Sequence, residues 1–409
     1  MASSRKNRIA LIIFVTILVV FHVMMLPGTR DDLRFAEMLD IYTPGEFLAT
    51  RYFTWTSRLI IEFFLIFFAR HLILWKIVNF LMCLLFAYEV LNLSGLHNYV
   101  PGVIGLVFFP VWYMSESGWC TTFMNYIWPL SVGFYSLSVL KALYVKEKTS
   151  TLKVIFSCIV LVFALNIEQI AVVFFCIFVW ILLLGVKDGN KPAVILSGVF
   201  LIETIAMMVF SLTCPGNTER VLAEAAAHMP EFASFNVLDK LILGVNSTFS
   251  EMAARDFCPF FFFACLIVTA YVSKKRVGFV GGILSGIYYA CVYLLGIVKE
   301  SFLKPTWPYN VWTYVFFVLN ICFALTVFLT LISLFKDIWK GLFVGVVFGS
   351  GFLSRIMLGF SPTCFESGHR TFTFYDVSLL MCALILISVI PKGAFGSFIK
   401  SFRVGRSNS

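Results

Sequence analysis

The chain has 409 residues, of which 60% are hydrophobic and 13% charged, against about 45–50% and about 25% in soluble domains. A mean hydropathy of +0.93 excludes an ordinary soluble enzyme, a soluble domain on a single anchor and a freely secreted protein, since each crossing of a hydrocarbon core takes roughly 20 apolar residues and this chain holds many such stretches. The formal net charge of +9 is not a nucleic-acid footprint here, because excess Lys and Arg in a polytopic chain first mark its cytoplasmic loops.

Taken in chain order, twelve stretches read as membrane spans: 9–26, 72–91, 100–114, 127–145, 154–165, 170–185, 193–213, 257–272, 278–298, 311–335, 341–358 and 376–390. The expected fold is an all-α polytopic membrane protein of about 12 transmembrane helices, a single transmembrane domain over residues 1–409. Arg5, Lys6 and Arg8 precede the first stretch, and Met24-Met25-Leu26-Pro27 ends it without the small residues of a cleavage site, so it reads as a retained helix.

Charge sets the expected orientation. With the amino terminus inside, the inner segments (the tip before Ile9, then 92–99, 146–153, 186–192, 273–277, 336–340 and 391–409) hold 17 Lys and Arg, while the longer outer segments hold 11. The positive-inside rule then puts both termini in the cytoplasm. Seventeen of the 22 Asp and Glu fall outside, Asp256 and Asp376 among them. The inner loops are too short to fold as a domain, so the presumed active-site face is built from outer loops 27–71, 115–126, 214–256, 299–310 and 359–375. In the first, residues 59–68 form an apolar run interrupted by Glu62; in 214–256, Val237-Leu238-Asp239-Lys240-Leu241-Ile242-Leu243 recurs at helical spacing. Both are too short to span and read as interfacial helices. The eleven cysteines contain no CxxC pair, which argues against zinc, and Cys120 with Cys364 is the pair open to a disulfide in an oxidising compartment.

Thr29-Arg30-Asp31-Asp32 directly follows the first span. Adjacent carboxylates repel, so one is pushed toward protonation unless a cation shares the site; the pair reads as a general base or as a site for Mg²⁺ or Mn²⁺. Trp55-Thr56-Ser57-Arg58 and the apolar run follow in the same loop, a combination suited to a lipid-linked polar substrate. Glu116 and Asn125-Tyr126-Ile127-Trp128-Pro129 add a carboxylate, an amide and aromatics at the membrane boundary. Asn166-Ile167-Glu168-Gln169 sets a charge between two apolar runs, where ionisable groups are costly enough to point to function. Pro215-Gly216-Asn217-Thr218-Glu219-Arg220 joins a turn to a guanidinium suited to phosphate, and Arg355 and His369-Arg370 are further cationic points, Arg355 being close enough to a span end to snorkel.

In this order, Arg30-Asp31-Asp32, Trp55-Thr56-Ser57-Arg58, Asn125-Tyr126-Ile127-Trp128-Pro129, Ile167-Glu168-Gln169, Pro215-Gly216-Asn217-Thr218-Glu219-Arg220 and Ser361-Pro362 with His369-Arg370 resemble a bacterial family of polytopic membrane proteins. That family is similar to the GT-C glycosyltransferases, including the phage-type serotype-converting glucosyltransferases of O-antigen. The resemblance implies a GT-C-like enzyme of the bacterial inner membrane. Its reaction would be inverting transfer of a sugar, such as glucose, from an undecaprenyl-phosphate-linked donor to a polysaccharide acceptor on the periplasmic or extracellular face. It also implies a donor-synthesising glycosyltransferase and a flippase as partners, and no nucleic acid. By the same resemblance Asp31 or Asp32 is the base, Arg58, Arg220 and Arg370 hold the donor phosphate, and Glu168, Asn125 and Asn217 lie near the sugars; Glu116 is a further substrate-binding candidate on its own position in the outer loops. The chain departs from the pattern at Thr56-Ser57-Arg58, where Asn-Gly-Arg is expected. The competing readings are a transporter or flippase of lipid-linked sugars, which would hold its substrate near the bilayer midplane, and an O-antigen ligase or polymerase.

Overall fold

A computed structural model describes residues 2–252 and 257–390. Asp256 and the cationic segment 391–409, which enter the charge reading, lie outside the described residues. With Leu, Ile, Val and Phe filling most positions and little water to satisfy a backbone, the chain closes its hydrogen bonds within helices, and every regular element among the described residues is helical.

The first span is α1 (Ala2–Met24). The long loop after it folds into α2 (Asp31–Ile41), α3 (Pro44–Thr54) and α4 (Leu59–Arg70). A capping box starts α3: the Glu46 amide donates to Thr43 Oγ1 (3.4 Å) and the Thr43 amide to Glu46 Oε2 (2.9 Å), with Pro44 at the first helical position. After α5 (Leu72–Ser94) come α6 (Val100–Val107), a 3₁₀ turn over Val111–Ser115, α7 (Trp119–Asn125), α8 (Ile127–Tyr144) and α9 (Thr151–Leu165). Next are α10 (Glu168–Lys187), α11 (Lys191–Thr213), α12 (Pro215–His228), α13 (Val237–Met252) and α14 (Phe257–Ser273). The chain continues through α15 (Arg276–Leu303), α16 (Val311–Leu334), α17 (Ile338–Ile356) and α18 (Thr373–Val389).

Eight of these helices are long and apolar enough to cross a membrane, in α1, α5, α10, α11, α15, α16, α17 and α18, or nine if the pair α13 and α14, bent by 86°, is one span. This corrects the expected twelve. The stretch 100–114 is cut by Pro110, which lacks the amide a continuous helix needs, into an eight-residue helix and a 3₁₀ turn. The stretch 154–165 forms a helix of 15 residues, 127–145 one of 18, and 257–272 belongs to the bent pair. The interfacial helix expected in 214–256 is corrected too: Ile242 to Ser250 of α13 are buried, so this helix enters the bundle, while α12 occupies the stretch before it. In the first loop, α4 buries Ile61, Glu62, Leu65 and Ile66 and turns Phe63, Phe64 and Phe67 outward. The apolar run read as one helix thus has one face packed and one free.

Buried polar side chains pin the helices where apolar packing alone would let them slide. Wholly buried Asn79 on α5 accepts from the Trp128 indole N–H of α8 (2.8 Å), and its amide nitrogen meets His22 Nε2 of α1 (3.0 Å). The helices give the bundle two distinguishable ends. One gathers segments 27–71, 115–126, 166–169, 214–220 and 361–372, which hold ten of the chain's 22 Asp and Glu. At the other, Tyr144, Asp188 and Asn190 meet: the Tyr144 hydroxyl donates to Asp188, and the Asn190 amide to the Tyr144 carbonyl (2.7 Å). Outside the span count, α8 ends at Tyr144 in the second group, and Asn166, the residue after α9, belongs to the first.

Candidate functional site

Two polar clusters form at the acid-rich end. In the first, Asp32 is wholly buried at the start of α2. Its Oδ2 accepts from the amides of Gly28 and Cys120 (3.1 Å each), and its Oδ1 from the amide and hydroxyl of Thr121 (2.8 Å each). The Cys120 and Thr121 amides open α7, so Asp32 caps that helix from outside, where free N–H groups and the helix dipole favour a carboxylate. Gly118 makes the approach feasible: its φ is +105°, and a Cβ there would lie 2.4 Å from Asp32 Oδ1. Asp31 has different surroundings. Its amide donates to the Ser117 carbonyl (3.2 Å), it is half-buried, and its carboxylate has no hydrogen-bond or ion-pair partner among the described residues.

Around them, the Arg30 guanidinium donates to the Glu116 carbonyl, and the Glu116 carboxylate accepts from the amides of His369 (3.2 Å) and Arg370 (3.1 Å). Arg370 donates to Ser117 Oγ. The His369 ring stacks on Tyr113 with centroids 4.6 Å apart. This cluster therefore joins the first loop, the 115–118 segment and the 368–370 segment.

The second cluster centres on Arg58 and Glu168. Arg58 Nε and Nη2 both reach Glu168 Oε2, at 3.1 and 2.8 Å. Glu168 Oε1 accepts from Ser57 Oγ (3.3 Å) and Ser211 Oγ (3.4 Å), and Asn217 bridges the same hydroxyls while donating to the Ser211 carbonyl (2.8 Å). Asn166 accepts from the amides of Ile60 and Ile61 (3.1 Å each), capping α4 from a distant part of the chain. Gly216 allows α12 to reach the end of α3: a Cβ would lie 2.4 Å from the Trp55 amide nitrogen. Burial is the largest single influence on Arg58 and works to lower its pKa, but the Glu168 charge and hydrogen bond, with Tyr126 and Glu62, together hold the guanidinium above its ordinary value. At Arg220, burial and then the Arg58 charge push the pKa down. Among the described residues Arg220 has no hydrogen-bond or ion-pair partner, so a guanidinium lies beside the Arg58–Glu168 pair with its donors uncommitted.

The clusters are neighbours. Gln169, next to Glu168, donates to the carbonyls of Ser354 (2.9 Å) and Thr371 (3.3 Å), and Thr371 follows Arg370. Short α7 links them from the other side, with Thr121 bound to Asp32 and Tyr126 within electrostatic reach of Arg58. Asn125 stands apart: its amide donates back to the Thr121 carbonyl of its own helix (2.8 Å). Arg58, Glu168, Asn217 and Arg220 thus come together in one cluster, and Asp31, Asp32, Glu116 and Arg370 in the other.

Several partners carried no signal in the sequence. Ser211 and Thr121 are single polar residues whose partners are far along the chain, and Arg51 gave no sign of its pairing with Glu62 at 2.6 and 2.7 Å. Arg355 does not snorkel; it is 1% exposed, with its guanidinium carbon 4.3 Å from the Phe372 ring centroid. Cys120 and Cys364 are both unbridged: Cys120 lies beside Met124 (3.8 Å), and Cys364 beside Ser247 (3.1 Å). Among the described residues no three His, Cys, Asp or Glu side chains converge as metal ligands, and both Asp32 oxygens are already taken by N–H and O–H donors.

Comparison with protein-family models, with curated proteins and with solved structures finds no match for this chain. The class is therefore defined by the helices themselves: an all-α, multi-pass membrane protein with eight to nine candidate spans.

Proposed function

We propose that the chain is a polyprenyl-phosphate-dependent glycosyltransferase of the bacterial inner membrane, GT-C-like, acting on a lipid-linked or surface polysaccharide such as O-antigen. The observation that carries this reading is the Arg58–Glu168–Arg220 cluster at one end of the bundle. There a committed ion pair orients hydroxyls and an amide while a second guanidinium stays open to an anion. A phosphate leaving group needs fixed positive charge, and a sugar needs hydroxyl and amide partners. The neighbouring cluster supplies a carboxylate with free oxygens in Asp31.

In this reaction the acceptor hydroxyl oxygen bonds to the anomeric carbon as the bond from that carbon to the phosphate oxygen breaks. The hydroxyl proton passes to Asp31, and polyprenyl phosphate leaves with its charge met by Arg220 and Arg58. Asp32 is assigned to positioning, since four donors already fill its oxygens. Siting at a bundle end, and not among the mid-span side chains, favours transfer over transport.

Asp31→Asn and Asp32→Asn are compared by mass spectrometry of the surface glycan in cells lacking the native gene. Asp31→Asn is expected to abolish the added sugar. Retention of the full modification in Asp31→Asn overturns the assigned base, and unchanged glycan after deletion of the gene overturns the whole reading. The same assay with chelator present tests whether Mg²⁺ or Mn²⁺ takes part.

A further inference from the structure

A cleft separate from the polar clusters runs between α8, α10, α17 and α18. Its volume is about 440 Å³, and along α8 its lining extends from Leu130 to Tyr144, about 21 Å at 1.5 Å per residue. A cavity of ligand size drawn out over that length is a slot, shaped for a chain and not for a compact molecule. Its walls are apolar, with Phe134, Ile177, Val347, Phe374 and Met381 among them, and it shares no residue with the Arg58–Glu168 cluster.

Apart from Ser378, the polar residues of the slot lie at the end away from the acid-rich clusters. There Lys141, Lys187, Lys340, Asp188 and Asp337 line it with Tyr144 and Trp339, and Lys141 donates to the Asn92 carbonyl (2.6 Å). Both acids are engaged: Asp188 accepts from the Tyr144 hydroxyl and has Lys187 3.6 Å away, and Asp337 accepts from the Trp339 amide (3.0 Å), capping α17. Lys187 also lies 4.6 Å over the Trp339 ring. Lys340 is exposed and has no partner among the described residues.

We propose that this slot binds an anionic glycerophospholipid from the leaflet at that end, with one acyl chain lying in the slot and the phosphate at Lys187 and Lys340. An apolar slot in a membrane-embedded bundle matches a lipid chain along its whole length. Lysines at the mouth of a pocket between transmembrane helices match an anionic headgroup, and an indole belongs at headgroup depth. A glycosyl donor does not fit this arrangement, because on the proposed function its phosphate sits at Arg58 and Arg220, at the opposite end; that choice of occupant rests on the proposed function, and the existence of the lipid site does not.

The test uses the full chain, reconstituted in phosphatidylcholine vesicles with a minority of phosphatidylglycerol, then extracted and examined by native mass spectrometry. Phosphatidylglycerol is expected to be retained about tenfold above its share of the vesicle. Ile385→Trp, which fills the slot, and the double variant Lys187→Gln with Lys340→Gln are each expected to remove that enrichment. The lysine variant changes only the polar mouth and keeps the test decisive if the tryptophan variant does not fold. Absence of enrichment in the native chain, or enrichment unchanged in the lysine variant, overturns the site. Displacement of the bound lipid by undecaprenyl phosphate, with none by added phosphatidylglycerol, overturns the occupant.

Discussion

Asp31 and Asp32 share a peptide bond and little else. The four donors around buried Asp32 tie α2 to the first turn of α7, whereas Asp31 keeps its oxygens free. Their variants should therefore separate stability from chemistry. In Asp32→Asn, a carboxamide loses one acceptor oxygen and turns an NH₂ group toward N–H donors, so about 2–3 kcal/mol of stability is lost, as for a buried charged partner removed from its donors. Asp31→Asn is expected to stay within about 0.5 kcal/mol of the native chain. Thermal unfolding in detergent, followed by intrinsic fluorescence, checks both; equal destabilisation of the two would contradict the different surroundings assigned to them.

At the scale of elements, the short helices of the first loop are held by distant partners more than by their own sequences. Asn166 caps α4, and the approach of α12 to α3 depends on Gly216, where a Cβ would lie 2.4 Å from Trp55 N and 2.6 Å from the Tyr52 carbonyl oxygen. Gly216→Val is predicted to push α12 off α3, carrying Asn217 away from Ser57 and Arg220 away from Glu168. Transfer activity should then fall at least about tenfold, since a misplacement of roughly 1 Å at a reacting site costs that or more; activity at the native level would remove α12 from the site. In the spans, Asn79→Ala strands both the Trp128 indole N–H and His22, with an expected loss of about 1–2 kcal/mol in the same unfolding assay.

The whole molecule sorts its scarce charge by end. The acid-rich end carries both clusters, and the opposite end carries Lys141, Lys187 and Lys340; the positive-inside reading predicts that this opposite end faces the cytoplasm. Orientation has a direct check in single-cysteine labelling with a membrane-impermeant maleimide on intact cells with a permeable outer membrane. Exposed Glu37 and Glu147 lie in segments read as outer and inner. Glu37→Cys is predicted to label above the background of the native cysteines and Glu147→Cys only after lysis; the reverse pattern would put the polar clusters on the cytoplasmic side.

Composition alone determined that this chain lives in a membrane, because an excess of apolar residues leaves no other solvent for them. The sequence also marked Asp31, Asp32, Arg58, Glu116, Asn125, Glu168, Asn217, Arg220 and Arg370 as site candidates, since charges and amides between apolar runs are conspicuous. It overcounted the spans: an apolar run shows hydrophobicity but not how far a helix runs before Pro110 cuts it or α13 turns into α14. Only the tertiary structure decided which of two adjacent acids is free, that Arg355 is buried against Phe372, and that Ser211 and Thr121 belong to the clusters. Those facts depend on contacts between residues dozens to hundreds of positions apart, and local pattern holds no information about such distances.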